Sequence, residues 1–183
     1  MLTQRDAQSQ MEKAVDAMRR EFAGVRTGKA SPALLEMVRV DAYGSKMPLN
    51  QVASVSVPEP RLLLVQPWDK GLLPVVEKAI RSAELGLNPA SDGNVIRVPI
   101  PALNEERRKE MVKLLHKIAE EGRIAVRHAR QEANKQIKAR ENAHEIGADE
   151  AHREMDEVQK LTDEYIGKID QLLKAKEEEV LEV

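Results

Sequence analysis

The 183-residue chain has no cysteine and only four aromatic residues: Phe22, Tyr43, Trp68 and Tyr165. The missing thiols exclude disulfides, thiol nucleophiles and cysteine-based zinc sites, and they suit a reducing compartment. So few rings leave little to stack on bases, which argues against single-strand recognition through aromatic platforms. A core of Leu, Val, Ile, Met and Ala suits helical packing. No run approaches the roughly 18 consecutive apolar residues of a membrane span, and the start, MLTQRDAQSQMEK, has no apolar stretch of signal type. The expected location is the cytoplasm, with no membrane partner. The net charge of −2 gives no overall bias. Proline is absent from residue 104 onward, and all nine prolines fall between 32 and 101.

Residues 24–31, GVRTGKAS, approach the phosphate-binding loop pattern G-x-x-x-x-G-K-[ST]. Gly24 and Gly28 are one residue too close, and Ala30 stands where the hydroxyl is needed. The preceding segment is helical in pattern: Ala7, Met11, Val15, Met18, Phe22 and Val25 recur every three or four positions. Pro32 then pushes Ser31 out of the helical region. The segment therefore reads as a helix that ends near Gly28, with Arg26 and Lys29 at its negative pole, followed by a turn. No nucleotide site is expected.

The remaining chain splits by pattern. Residues 31–103 carry strand signals: alternation at Ala53, Val55 and Val57, the apolar run RLLLVQ (61–66), and turn pairs Gly44-Ser45 and Gly93-Asn94. One helix, roughly 71–84, interrupts them. From 104, Asn104 is a helix cap, with Glu105 and Glu106 in the first turn. A stripe of Leu115, Ile118, Ala125, Ala129, Ala133 and Ile137 continues to about Asn142. Gly147 breaks the pattern. Ala151, Met155, Val158, Thr162, Tyr165, Ile169 and Leu172 then form a heptad seam.

Three long amphipathic helices cannot bury their stripes alone. The predicted fold is an elongated three-helix bundle, discontinuous in sequence (1–28 and 104–183), with an inserted small α+β domain (31–103). At about 1.5 Å per residue the second long helix spans on the order of 60 Å. The chain crosses between domains twice. Arg26, Gly28, Lys29, Ser31 and Pro32 on the outward path, and Pro99 and Pro101 on the return, read as a two-stranded hinge in an L-shaped molecule, with 29–30 at its centre.

The near-zero charge hides an asymmetry. Residues 104–140 hold 11 Lys and Arg against 6 Asp and Glu, whereas 141–183 hold 5 against 14. Arg123, Arg127 and Arg130 fall on one helix face, and Asn134 continues it. Three guanidinium groups on a stiff helix suit nucleic-acid phosphates. The competing reading is that they pair with the acidic last helix or form a solvated face. The run Glu177-Glu178-Glu179 reads as solvated tail. His116, His128, His144 and His152 lack metal-ligand spacing, and no set of residues supports catalysis. No metal, cofactor or enzymatic activity is expected.

The stretches VRTGKASPALL (25–35), LGLNP (85–89), IRVPIPALNEERRKEM (96–111), AVRHARQEANK (125–135) and VQKLTDEYI (158–166) resemble the ribosome recycling factor family, in order and across the whole chain. Arg26, Thr27, Gly28, Ala30, Ser31 and Pro32 match its first-helix and hinge motif. Arg127 and Arg130 match its arginines that contact large-subunit rRNA. Lys29 stands where the family usually has Arg, and Gln131 where another basic residue often follows. The resemblance implies a monomeric factor that splits the post-termination ribosome into subunits together with elongation factor G, the partner binding the GTP. The alternative is a helical interaction scaffold or holdase chaperone without ribosome binding.

Overall fold

The computed structural model describes residues 2–182. The chain divides into two compact units, Met1–Val25 with Lys109–Val183, and Arg26–Arg108.

The first unit is built from α1 (Leu2–Ala23), most of α3 (Glu105–Asn142) and α4 (Ala148–Leu181). Ala7, Met11, Val15, Met18, Phe22 and Val25 are all buried, as their spacing predicts. The helix nevertheless stops at Ala23, short of Gly28. Gly24 and Val25 donate to the carbonyls of Glu21 and Phe22, three residues back, so the last turn tightens and closes before the Gly28 turn. The cation in the last turn is Arg20, in place of Arg26 and Lys29.

Two stripes need correction. On α3, Ala125 is exposed and Val126 is fully buried. The true path runs Leu115, Ile118, Gly122, Val126, Ala129, Ala133, Ile137. It is hidden because a glycine holds one of its steps. On α4, Leu173 is buried and Leu172 is only half-buried. A 3.5-residue seam drifts on a 3.6-residue helix, and past Ile169 the buried position advances by four.

Gly122 faces both of the other long helices. A Cβ there would lie 3.3 Å from Met18 Sδ of α1 and 3.4 Å from Ile169 Cδ1 of α4. A large side chain cannot enter without parting the helices. Gly122→Leu is expected to lower the unfolding free energy by about 1–3 kcal/mol, measured by urea denaturation.

Asn104 caps α3: its Oδ1 accepts from the Arg107 amide at 2.7 Å, as expected. At the far end His144 adopts φ +58, and the Glu145 amide reaches back to the Arg140 carbonyl at 2.9 Å. This is a Schellman closure that turns the chain into α4. The helix starts at Ala148, directly after Gly147.

The second unit holds two small sheets. Strands β1 (Arg39–Ala42) and β2 (Ser45–Pro48) pair antiparallel, joined by Tyr43 and Gly44 at φ +52 and +79, a turn whose twist fits a two-residue hairpin. Strands β3 (Ala53–Glu59), β4 (Leu62–Pro67), β5 (Ala90–Ser91) and β6 (Ile96–Pro99) form an antiparallel sheet in the order β3-β4-β6-β5. Helix α2 (Leu73–Ser82) is shorter than 71–84, because Lys70–Leu72 form a 3-10 turn capped by Asp69. Val40, Leu63, Val65, Val76, Ile80, Ile96 and Val98 make the core. The alternation along β3 fades: Ala53 is buried, Val55 half-buried and Val57 exposed, with a register shift between Ser56 and Glu59. Tyr43 and Trp68, two of the four aromatics, are exposed in this unit.

The two crossing paths run side by side. A Cβ on Gly28 (φ +77) would lie 3.6 Å from the Leu103 amide nitrogen. The Ala30 amide donates to the Pro60 carbonyl at 2.7 Å, and Ile100 to Arg61 at 2.8 Å. Pro99 lies in β6 opposite Leu62. Ser31 caps the 3-10 turn Pro32–Leu35, its Oγ accepting from the Ala33 amide. Pro99, Ser31 and Pro32 are thus fastened to the small unit.

Candidate nucleic-acid interface

The flank of α3 beside its buried stripe carries Arg123, Arg127 and Arg130, and the structure gives them three different environments. Arg123 is drawn in, with 19% of its side chain exposed. Its Nε and Nη2 donate to Asp170 Oδ1 of α4 at 3.0 and 2.6 Å, and its Nη1 donates to Glu120 Oε2 at 3.0 Å. These charge-assisted bonds, led by that to Asp170, push the guanidinium pKa up. The competing reading from the sequence, pairing with the acidic helix, therefore holds for Arg123.

Arg127 stays on its own helix. Its side chain is 44% exposed and its Nη1 donates to Glu120 Oε1 at 3.0 Å. Glu120 thus bridges two arginines. Their hydrogen bonds, that of Arg123 first, hold its carboxyl below the usual carboxylate range. With a lowered folded-state pKa, the bridge is complete at neutral pH and is lost only as pH falls through that value.

Among the described residues Arg130 has no carboxylate partner. Its Nη1 donates to Gln159 Oε1 of α4 at 3.1 Å, and Gln159 Nε2 donates in turn to Asp163 Oδ1 at 2.9 Å. Gln159 holds this guanidinium without neutralising it. The sequence reading missed Gln159, whose role depends on the alignment of two helices. It also passed over Lys135 and Lys138, which a helical count exposes: Arg127, Gln131 and Lys135 follow one another at four-residue steps, as do Arg130, Asn134 and Lys138. The observed face is a basic row graded along α3, tied down at Arg123 and open toward Lys138.

A difference in stability follows. Arg123→Ala removes two ion pairs and the packing of a largely covered stem, so it should lower the unfolding free energy by about 1–2 kcal/mol. Arg127→Ala and Arg130→Ala should each change it by less than about 0.5 kcal/mol. Thermal unfolding of the three variants measures this.

The remaining motifs settle into structural places. GVRTGKAS lies between α1 and a four-residue 3-10 turn, not between a strand and a helix. His116 bonds Glu177 across α3 and α4, so that part of the acidic run is engaged, and His152 lies 3.5 Å from Asp156. Among the described residues no helix is long and apolar enough to cross a membrane.

Comparison with known proteins bears on the whole chain. The sequence model of the ribosome recycling factor family matches residues 18–181. The ribosome-recycling factor of Symbiobacterium thermophilum is 52% identical over 179 residues, covering 98% of this chain and 97% of its own. That of Rhodopseudomonas palustris strain TIE-1 is 57% identical over 173 residues, covering 94% and 93%. A solution structure of a ribosome recycling factor superposes with a TM-score of 0.80 at 48% identity, covering 99% of this chain and 96% of that one. A second structure, of the T. thermophilus ribosome recycling factor and E. coli elongation factor G bound to the E. coli post-termination complex, gives 0.69 at 45% identity, covering 98% and 97%. The chain belongs to the ribosome recycling factor family, whose members are translation factors of ribosome recycling and not enzymes.

Proposed function

We propose that this protein, as a cytoplasmic monomer, separates the post-termination ribosome into subunits together with elongation factor G, and that it grips large-subunit rRNA through Arg127 and Arg130. The observation that carries the rRNA contact is the state of Arg130. It is a guanidinium fixed by a neutral carboxamide, on a helix row with further lysines, and it has no carboxylate partner among the described residues. Structured RNA is recognised mainly through shape, 2′-hydroxyls and phosphates, which suits such a row. Arg123 anchors the row to α4, with its charge largely engaged by Asp170 and Glu120. The energy source is the partner's GTP, a reading supported by GVRTGKAS (24–31), which lacks the spacing and context of a phosphate-binding loop.

The pivot for the splitting motion is the pair of short paths at 26–28 and 101–104, which include Arg26, Gly28 and Pro101. Lys29, Ser31, Pro32 and Pro99 move with the small unit, because the Ala30 and Ile100 amides bond to the Pro60 and Arg61 carbonyls and the Ser31 hydroxyl caps the first turn. Modest interfaces between domains generally permit such motion.

Co-sedimentation of the purified protein with ribosomal large subunits tests the reading. Saturable binding that weakens steeply with added salt is expected. A protein that stays in the supernatant at low salt while suppressing aggregation of an unfolded client would make it a holdase instead.

A further inference from the structure

Beyond the arginine row, α3 and α4 enclose a groove lined by Arg130, Gln131, Asn134, Lys135, Lys138 and Gln159, with no carboxylate among its lining residues. Among the described residues Lys135 and Lys138 form no ion pair. The side-chain oxygen of Asn134 is buried and has no hydrogen-bond partner among the described residues. A buried acceptor without a donor weakens a fold, and an apolar residue at this place would remove the defect. The fold makes no use of this oxygen, which leaves it available to a donor on a bound ligand.

We propose that Asn134 reads the ribose of a bound RNA strand, accepting a hydrogen bond from a 2′-hydroxyl while Arg130, Lys135 and Lys138 hold the neighbouring phosphates. This rests on the arginine-row reading and extends it from charge to sugar chemistry. A half-turn about the Cβ–Cγ bond exchanges the amide's two ends, so the oxygen can turn into the groove when a donor arrives. The 2′-hydroxyl is that donor in RNA and is absent from DNA. Base stacking is not available here, since the aromatics of this unit, Phe22 and Tyr165, are both buried. Three cations supply the phosphate contacts and the carboxamide supplies the distinction between RNA and DNA.

The test compares wild type, Asn134→Ala, Asn134→Leu, Arg127→Ala and Arg130→Ala on purified large subunits, with affinity measured at several salt concentrations and melting temperature in parallel. Both Asn134 variants should bind about five- to tenfold more weakly, as for loss of one hydrogen bond. Their salt dependence should match wild type, because no counterion contact is lost, and they should melt at or above the wild-type temperature. Acylation of ribose hydroxyls on the bound subunit should show a position protected by wild type and reactive with Asn134→Ala. Wild-type affinity in both Asn134 variants, with Arg130→Ala weakened, overturns the ribose contact alone. So does a lowered melting temperature, or protection lost only at base edges. If the Arg127 and Arg130 variants also bind as wild type, the arginine-row reading fails with it.

Discussion

Alanine at Arg130 will weaken binding to the ribosomal large subunit by about tenfold or more while leaving thermal unfolding almost unmoved. A charge-assisted hydrogen bond contributes about 1.5–3 kcal/mol, and about 1.4 kcal/mol is tenfold in affinity. In the free protein Arg130 gives up only one bond to Gln159, on the surface, so folding loses little. The variant should also show a shallower fall of affinity with salt, by about one unit of log–log slope for one lost phosphate contact. Arg127→Ala should act in the same direction but less strongly, because Glu120 already engages part of that charge. Arg123→Ala should act chiefly on stability. Equilibrium binding at three salt concentrations, with melting curves on the same preparations, reads out the series. Equal effects on binding from all three substitutions would contradict the grading.

The second large effect is the survival of the bundle without its insert. Joining Gly28 to Asn104 through a short Gly/Ser linker removes the small sheets, yet should leave a helical protein that unfolds cooperatively. Met11, Leu115, Ile137, Val158 and Ile169 are fully buried, and all belong to the first unit. The insert's core, from Leu35 to Ile100, is made from its own residues. A Cβ on Gly28 would lie 3.6 Å from the Leu103 amide nitrogen, so the linker bridges a short gap. Circular dichroism should show a strongly helical spectrum and one sigmoidal melt. A broad transition would mean that the bundle depends on the insert for its order.

What the sequence made legible follows the physics of each signal. The proline distribution and the 3.6-residue stripes marked the helices well, because a proline-free run with one apolar face has few other folds. The first hairpin was visible in its glycine, although the turn is Tyr43-Gly44 rather than Gly44-Ser45, since Ser45 already opens β2. Helix ends were less so: α1 stops at Ala23, where Gly24 and Val25 close the last turn on Glu21 and Phe22, and helix boundaries shift by a residue or two on such local closures. Gly122 escaped because a glycine does not register as apolar, although it faces Met18 of α1 and Ile169 of α4. The three arginines looked equivalent on a helical wheel. Only the packing of α4 against α3 reveals that Asp170 takes Arg123, Gln159 orients Arg130, and Asn134 is left with an unmatched oxygen.

The most direct test of the account is light-scattering measurement of post-termination ribosomes splitting in the presence of elongation factor G and GTP, with the Arg127→Ala/Arg130→Ala double variant. The account predicts that the variant, at wild-type melting temperature, splits ribosomes at a small fraction of the wild-type rate and recovers when its concentration is raised to offset the lost affinity. Splitting at the wild-type rate at limiting factor concentration would contradict it.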